Sequence, residues 1–142
     1  MIEKITDHNG VEIALIIRSN FRVDATQFYS APEYSQQVGI IKYPKGGTIK
    51  PHFHNKVQRE VTYTQEVLFI RFGRVRVDLY TKELQFLQSV TLNQYDVIFL
   101  ITGGHGFEML EDCEMLEVKQ GPYSGVSSDK THFNVQIYKQ DQ

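Results

Sequence analysis

Apolar and polar positions change over along this chain in short runs, and most of the runs have the period of a strand. Val11–Ile17 is almost continuously apolar and β-branched. Glu66–Phe72 and Val75–Tyr80 alternate on either side of Gly73-Arg74, the pattern of a β-hairpin. Further strands are predicted at Val38–Lys42, Thr48–His54, Phe86–Thr91, Val97–Ile101, Phe107–Leu110, Met115–Lys119 and Val135–Tyr138, with Pro51 blocking a helix in the second of these. Gly, Pro and Asn fall between the runs, at Pro44–Gly47, Asn93-Gln94, Gly103-Gly104 and Gly121-Pro122. No segment holds a period of 3.6 over three turns, and Gln27–Gln36 offers at most one short helical turn. Ser124–Lys130 is expected to be a loop and Lys139–Gln142 a frayed end. The expected class is all-β, a sandwich or barrel.

Composition narrows this picture. The 142 residues fit one domain, taken as residues 1–142, with no internal repeat or linker. A formal net charge of −2 leaves no electrostatic footprint for nucleic acid. The single cysteine, Cys113, excludes an internal disulfide, suits a reducing compartment and lies among acidic neighbours that disfavour a reactive thiolate. No apolar run approaches the length of a membrane span, so the expectation is a cytoplasmic protein without membrane partners. Five histidines remain as the main source of chemistry near neutral pH.

His52 and His54 lie two apart on a predicted strand, so their imidazoles share a face. Glu66 opens a strand whose face continues through Leu68, Ile70 and Phe72. An unpaired carboxylate on that face is costly, and a bound cation would account for it. His105 sits between Gly104 and Gly106, expected to form a tight turn that aims the ring. Three imidazoles and one carboxylate suit a divalent ion such as Zn, Mn, Fe or Ni, with one or two positions left for water or substrate. His8 and His132 are expected on the surface, Asp78 on an outward face with Arg74 and Arg76, and Phe72, Phe99 and Phe107 in the core.

This spacing resembles the first motif of the cupin family, a Gly, five residues, His-x-His, a short gap, Glu, six residues and Gly. Gly46, His52-Phe53-His54, Glu66 and Gly73 match its two halves, with Asn55–Gln65 as a long insert between them. Glu60 is nearer the usual gap but lacks the following step to a glycine, so Glu66 is preferred. Tyr95–His105 follows the outline of the second motif, with Tyr95 in the place of its opening Gly and Ile101 in that of its Pro. Pro51-His52-Phe53-His54-Asn55, Thr64-Gln65-Glu66-Val67-Leu68, Gly103-Gly104-His105-Gly106-Phe107 and Glu117–Tyr123 are similar to small single-domain bacterial cupins associated with sugar and cell-surface polysaccharide biosynthesis. The resemblance covers about residues 38–119. It implies a double-stranded β-helix (the cupin jelly-roll barrel), metal ligation by His52, His54, Glu66 and His105, and a homodimer.

The leading expectation is therefore a metal-dependent enzyme for a small polar molecule, such as a sugar derivative or organic acid. Isomerisation, oxygenation and decarboxylation all remain open, with Glu66 able to double as a base. A second expectation is metal-free acid–base catalysis of the sugar-nucleotide epimerase or ketoisomerase type. There His52 or His54 takes the proton, and Tyr43, Tyr63 or Tyr123 is its partner. A third is a non-catalytic small-molecule-binding module. Glu117 and Lys119 share a face that reads as solvated, with a place beside Tyr123 near the barrel mouth as the alternative. Arg59 and Glu60 read as an exposed charged loop, with a lid over the mouth as the alternative. Val11–Ile17 has more Ile than one sheet face needs, which makes it the candidate strand for pairing with a second copy.

Overall fold

The computed structural model describes residues 1–135. Its strands are β1 (Ile2–Thr6), β2 (Glu12–Ile17), β3 (Gln27–Phe28), β4 (Gly39–Ile40), β5 (Glu66–Phe72), β6 (Val75–Tyr80), β7 (Phe86–Leu92), β8 (Val97–Leu100), β9 (Gly104–Met109) and β10 (Glu114–Lys119). One short helix follows, α1 (Val126–Asp129). A five-stranded sheet runs β1-β2-β8-β5-β10, a three-stranded sheet runs β7-β6-β9, and β3 and β4 form a separate ribbon. All pairings are antiparallel. The class is all-β, as expected, and the described strands do not close into a barrel.

The alternation of β5 and β6 decides what the two sheets turn toward each other. In the large sheet Glu66, Leu68 and Ile70 share one face, with Leu100 and Ile98 of β8 opposite the first two. In the small sheet Val75, Val77 and Leu79 share a face with their β9 partners Met109, Phe107 and His105. These faces, with Ile16, Val90 and Leu92, meet in one core. Each fully buried Val, Leu or Ile there contributes roughly 1.5–3 kcal/mol.

The near-continuous apolar run of β2 has a second cause. Leu15, Ile17, Phe99 and Ile101 point to the outer face of the large sheet, where Phe21, Tyr29, Tyr34, Val38 and Ile40 of the same chain cover them. β2 is also an interior strand, paired to β1 on one side and β8 on the other. The expectation that it adds to a second copy's sheet is therefore overturned.

Other expectations are corrected locally. β1 was not anticipated, because its Ile2-Glu3-Lys4-Ile5-Thr6 carries too few apolar residues to stand out. Val38–Lys42 shrinks to the two residues of β4, and Thr48–His54 forms no strand. Residues 41–64 have no regular structure, and every one of them is exposed. His105 is inside β9 rather than on a turn, and the turn before it is made by Gly103 at φ +76. Phe72 is exposed, whereas Phe99 is buried and Phe107 packs partly into the core. Gln27–Gln36 holds no helix, and α1 falls in the expected loop Ser124–Lys130. Of the expected strand Val135–Tyr138 only Val135 is described, and it is not in a strand. The rest of that strand and Lys139–Gln142 lie outside the described residues.

Candidate functional site

At one end of the sandwich the two facing surfaces carry polar groups instead of aliphatic ones. Glu66 is the first residue of β5, on the inner face of the large sheet, and is buried at 8 % exposure. Its position is fixed by the residue before it. The Gln65 N–H donates to Gln120 Oε1 at 2.5 Å, and the Ser35 hydroxyl donates to Gln65 Oε1 at 2.9 Å. Gln36 Nε2 donates to the Gln65 carbonyl at 3.1 Å. These bonds hold the start of β5 against the segment before β4 and the end of β10.

His105 reaches the same point from the other sheet. It sits opposite Leu79 on β9, and its ring meets Phe107 edge-on at 5.5 Å. His105 Nε2 and Glu66 Oε2 are 3.3 Å apart. The imidazole holds the Glu66 carboxyl below the usual carboxylate range, against the opposite pull of burial, and Lys119 and Lys130 add positive charge. The carboxyl is thus held down in a place where burial alone would raise it.

The pair opens on a cavity of about 590 Å³. Its lining includes Thr64, Thr102, Gln120, Ser128, Asp129 and Lys130 beside Glu66 and His105, a set of hydroxyl, amide, carboxylate and ammonium groups with Lys130 Nζ 3.9 Å from Asp129. Such a lining suits a small hydroxylated molecule. Lys119 lies just outside this lining, with its ammonium 3.3 Å from Glu117, 3.4 Å from Asp129 and 5.6 Å from the centre of the Tyr123 ring. Glu117 and Lys119 share a face, as expected.

The remaining sequence candidates stand apart from the pair. His52 and His54 are exposed, with ring centres 5.4 Å apart and His52 Nδ1 at 2.9 Å from the Lys50 carbonyl. Tyr43 and Tyr123 are exposed, and Tyr63 is exposed along the rim of the cavity. Arg59 is exposed, and so is Glu60, which borders a second cavity of about 450 Å³ with Tyr34 and Gln65. Among the described residues no three or more His, Cys, Asp or Glu side chains gather as a metal site. Within one chain, then, two of the four expected ligands are together and two are not. Cys113 is partly buried against the core, and burial, aided by Glu111, pushes its thiol up. Asp78 lies outward with Arg76 as expected, 3.0 Å from its Nε.

Sequence reasoning missed Gln65 and Gln120. Neither sits in a periodic pattern, and a glutamine gives no sign of burial until its partners are known. Two signals were available: each borders a predicted strand that carries candidate site residues, and each lies in a segment of the resemblance, Thr64–Leu68 or Glu117–Tyr123. Compared with protein-family models, curated proteins and solved structures, the chain matches none.

Proposed function

We propose that this chain is a jelly-roll protein of the cupin type that takes a small polar molecule, such as a sugar derivative or organic acid, into the cavity at Glu66 and His105. In this reading a divalent ion is held there by Glu66 and His105 together with His52 and His54. The observation that carries it is the meeting of Glu66 and His105 at 3.3 Å from two facing antiparallel sheets. Facing antiparallel sheets are the layers from which a jelly roll is built. Two backbone details agree with the motifs. Gly73, which ends the first motif, has φ +78, and a Cβ there would lie 1.9 Å from the Asp112 carbonyl oxygen. Tyr95, in the place of the second motif's opening glycine, has the left-handed φ of +70 that glycine adopts with least strain.

When bound, the ion supplies a Lewis acid that polarises a substrate oxygen or acidifies a water. The chain's own residues do the rest. Glu66 stays ionised and offers an anionic oxygen. Thr64, Thr102, Ser128 and Gln120 present donors and acceptors to a hydroxylated ligand. The β5 and β9 backbones keep Glu66 and His105 from drifting apart. The working unit is a homodimer.

A second reading is favoured by the same contact taken alone. A buried carboxylate that orients an imidazole forms an acid–base dyad, with His105 in place of the His52 or His54 base expected from sequence.

The test uses untagged protein and elemental analysis. The metal reading expects near-stoichiometric metal in the native chain and little in His105→Ala or His54→Ala. Full metal content in His54→Ala would overturn the four-ligand site. Ligand stabilisation or turnover that survives chelation, in a screen of sugar nucleotides and hydroxy acids, would favour the dyad.

A further inference from the structure

We infer that residues 41–64 form an arm exchanged between two copies of this chain, each arm laying itself along the open sheet edges of the other copy. The exchange rests on the fold alone; only its consequence for His52 and His54 rests on the metal reading above.

The arm is bare where a chain segment of its kind should be covered. All 24 of its residues are exposed, a length well beyond that of ordinary connections in compact domains. From Tyr43 onward its hydrogen bonds stay inside the segment, Gly47 N–H to Pro44 O at 3.0 Å and His52 Nδ1 with Lys50 O at 2.9 Å. Yet it exposes Ile49, Val57, Tyr63 and, at 84 %, Phe53. The stretch Thr48–His54 alternates as a strand does, with Ile49, Pro51 and Phe53 on one side and Lys50, His52 and His54 on the other.

The body offers the complement. β9 pairs only with β6 and β10 only with β5, so each sheet ends on an open edge among the described residues. An open edge is a template for another strand. β10 exposes Leu116 and Val118, and β9 exposes Met109. The charges also match. The arm has five basic residues and one acidic, while the whole chain is at −2, which leaves the remainder at −6. Glu108, Glu114 and Glu117 lie on the two edge strands.

Reach and symmetry select a second copy as the occupant. The arm is tied at one end by β4 and at the other by the buried Gln65, so it extends as a doubled strand to about 40 Å, the scale of a neighbouring domain. In its own copy it leaves both edges open. One arm and one pair of edges per copy satisfy each other about a two-fold axis, the geometry of a swapped dimer. An arm strand along β9 also sets His52 and His54 beside the strand that carries His105, which makes the candidate site complete only in the dimer.

The test is photo-crosslinking in the full chain. Copies with Phe53 replaced by p-benzoylphenylalanine are mixed with isotope-labelled copies, exchanged, irradiated and mapped by mass spectrometry. The expected result is a particle of twice 16.5 kDa with crosslinks into β9 or β10 of the labelled copy. Ile49→Asp with Phe53→Asp should weaken the dimer by roughly a hundredfold. A monomer, a dimer crosslinked only within each copy, or a dimer unaffected by the double variant would overturn the exchange. If the double variant fails to fold, the crosslinks in the full chain still decide. Metal content is read separately, so a swapped dimer without metal overturns only the functional reading.

Discussion

Glu66 and His105 face each other across the sandwich, 3.3 Å apart, at the point where both inner faces turn from aliphatic to polar. The position of Glu66 is otherwise an apolar one, on the face of Leu68 and Ile70 and opposite Leu100. Replacing a buried ion pair by hydrophobic side chains is often neutral or stabilising, and removing one partner is costly where the other is left buried and charged; the His105 side chain is 31 % exposed. Glu66→Leu should therefore keep or raise stability, by up to about 1 kcal/mol, while abolishing metal or ligand uptake. His105 still faces the cavity and keeps access to water. Urea denaturation and elemental analysis of the same preparation check this. A loss of more than about 2 kcal/mol would make the pair a structural bridge instead.

Asp96 is a second buried carboxylate, at 2 % exposure, and it is fully partnered. It accepts the Ser19 N–H at 2.8 Å, the Asn93 N–H at 3.0 Å and Arg18 Nη1 at 2.9 Å. It thereby joins the exit of β2 to the turn before β8. Asp96→Ala leaves these donors facing an apolar side chain, and should cost about 3 kcal/mol. Arg18→Ala should cost less, since two backbone donors remain. Denaturation midpoints at constant m-value separate the two.

The same two carboxylates show where the sequence was legible. Glu66 stood out because strand alternation placed it among Leu68 and Ile70, and the structure puts it on that face. Asp96 sat in a turn-like stretch, where a carboxylate is ordinary, and only the partners from Ser19 and Arg18 mark it as buried. The strands of the two sheets were visible wherever one face is apolar. Residues 41–64 were misread for a related reason: Thr48–His54 has a strand's alternation, but alternation does not say which edge it pairs with or on which copy. The convergence of Glu66 and His105 was expected from motif spacing, yet its support by Gln65, Gln120 and Ser35 is tertiary and has no pattern in the chain.

Gly103 sets the approach to His105. Its φ is +76, and a Cβ there would stand 2.2 Å from the Tyr80 carbonyl oxygen. Tyr80 ends β6, the strand to which β9 is paired, so a shift at residue 103 moves the whole of β9. Left-handed strain alone costs about 1–2 kcal/mol for an L-residue, and the backbone clash adds to it. Gly103→Ala should lose about 2–4 kcal/mol. Gly106→Ala, with nothing within 4 Å of its Cβ, is the control and should stay within about 0.5 kcal/mol. Thermal melts of both variants test the contrast.

Tyr34 predicts the alkaline limb of stability. Its hydroxyl donates to Glu12 Oε2 at 2.8 Å, its ring meets Phe99 edge-on at 6.3 Å, and Glu12 also accepts Lys4 Nζ at 2.8 Å. Burial, reinforced by the Glu12 carboxylate, pushes the phenol up to about 12. An unfolded tyrosine titrates near 10. The folded value is the higher one, so the contribution is complete below pH ~10 and is lost as pH rises through about 12. Tyr34→Phe removes the hydroxyl and should cost about 1 kcal/mol at pH 8. The gap between native and variant protein should then shrink as pH rises above ~10, because only the native chain has this group to ionise. The other seven of the eight tyrosines titrate in both proteins and cancel in the difference. Urea unfolding of the pair from pH 8 to 12 measures that gap. Parallel curves over the whole range would mean that the Tyr34–Glu12 bond does not set the alkaline limb.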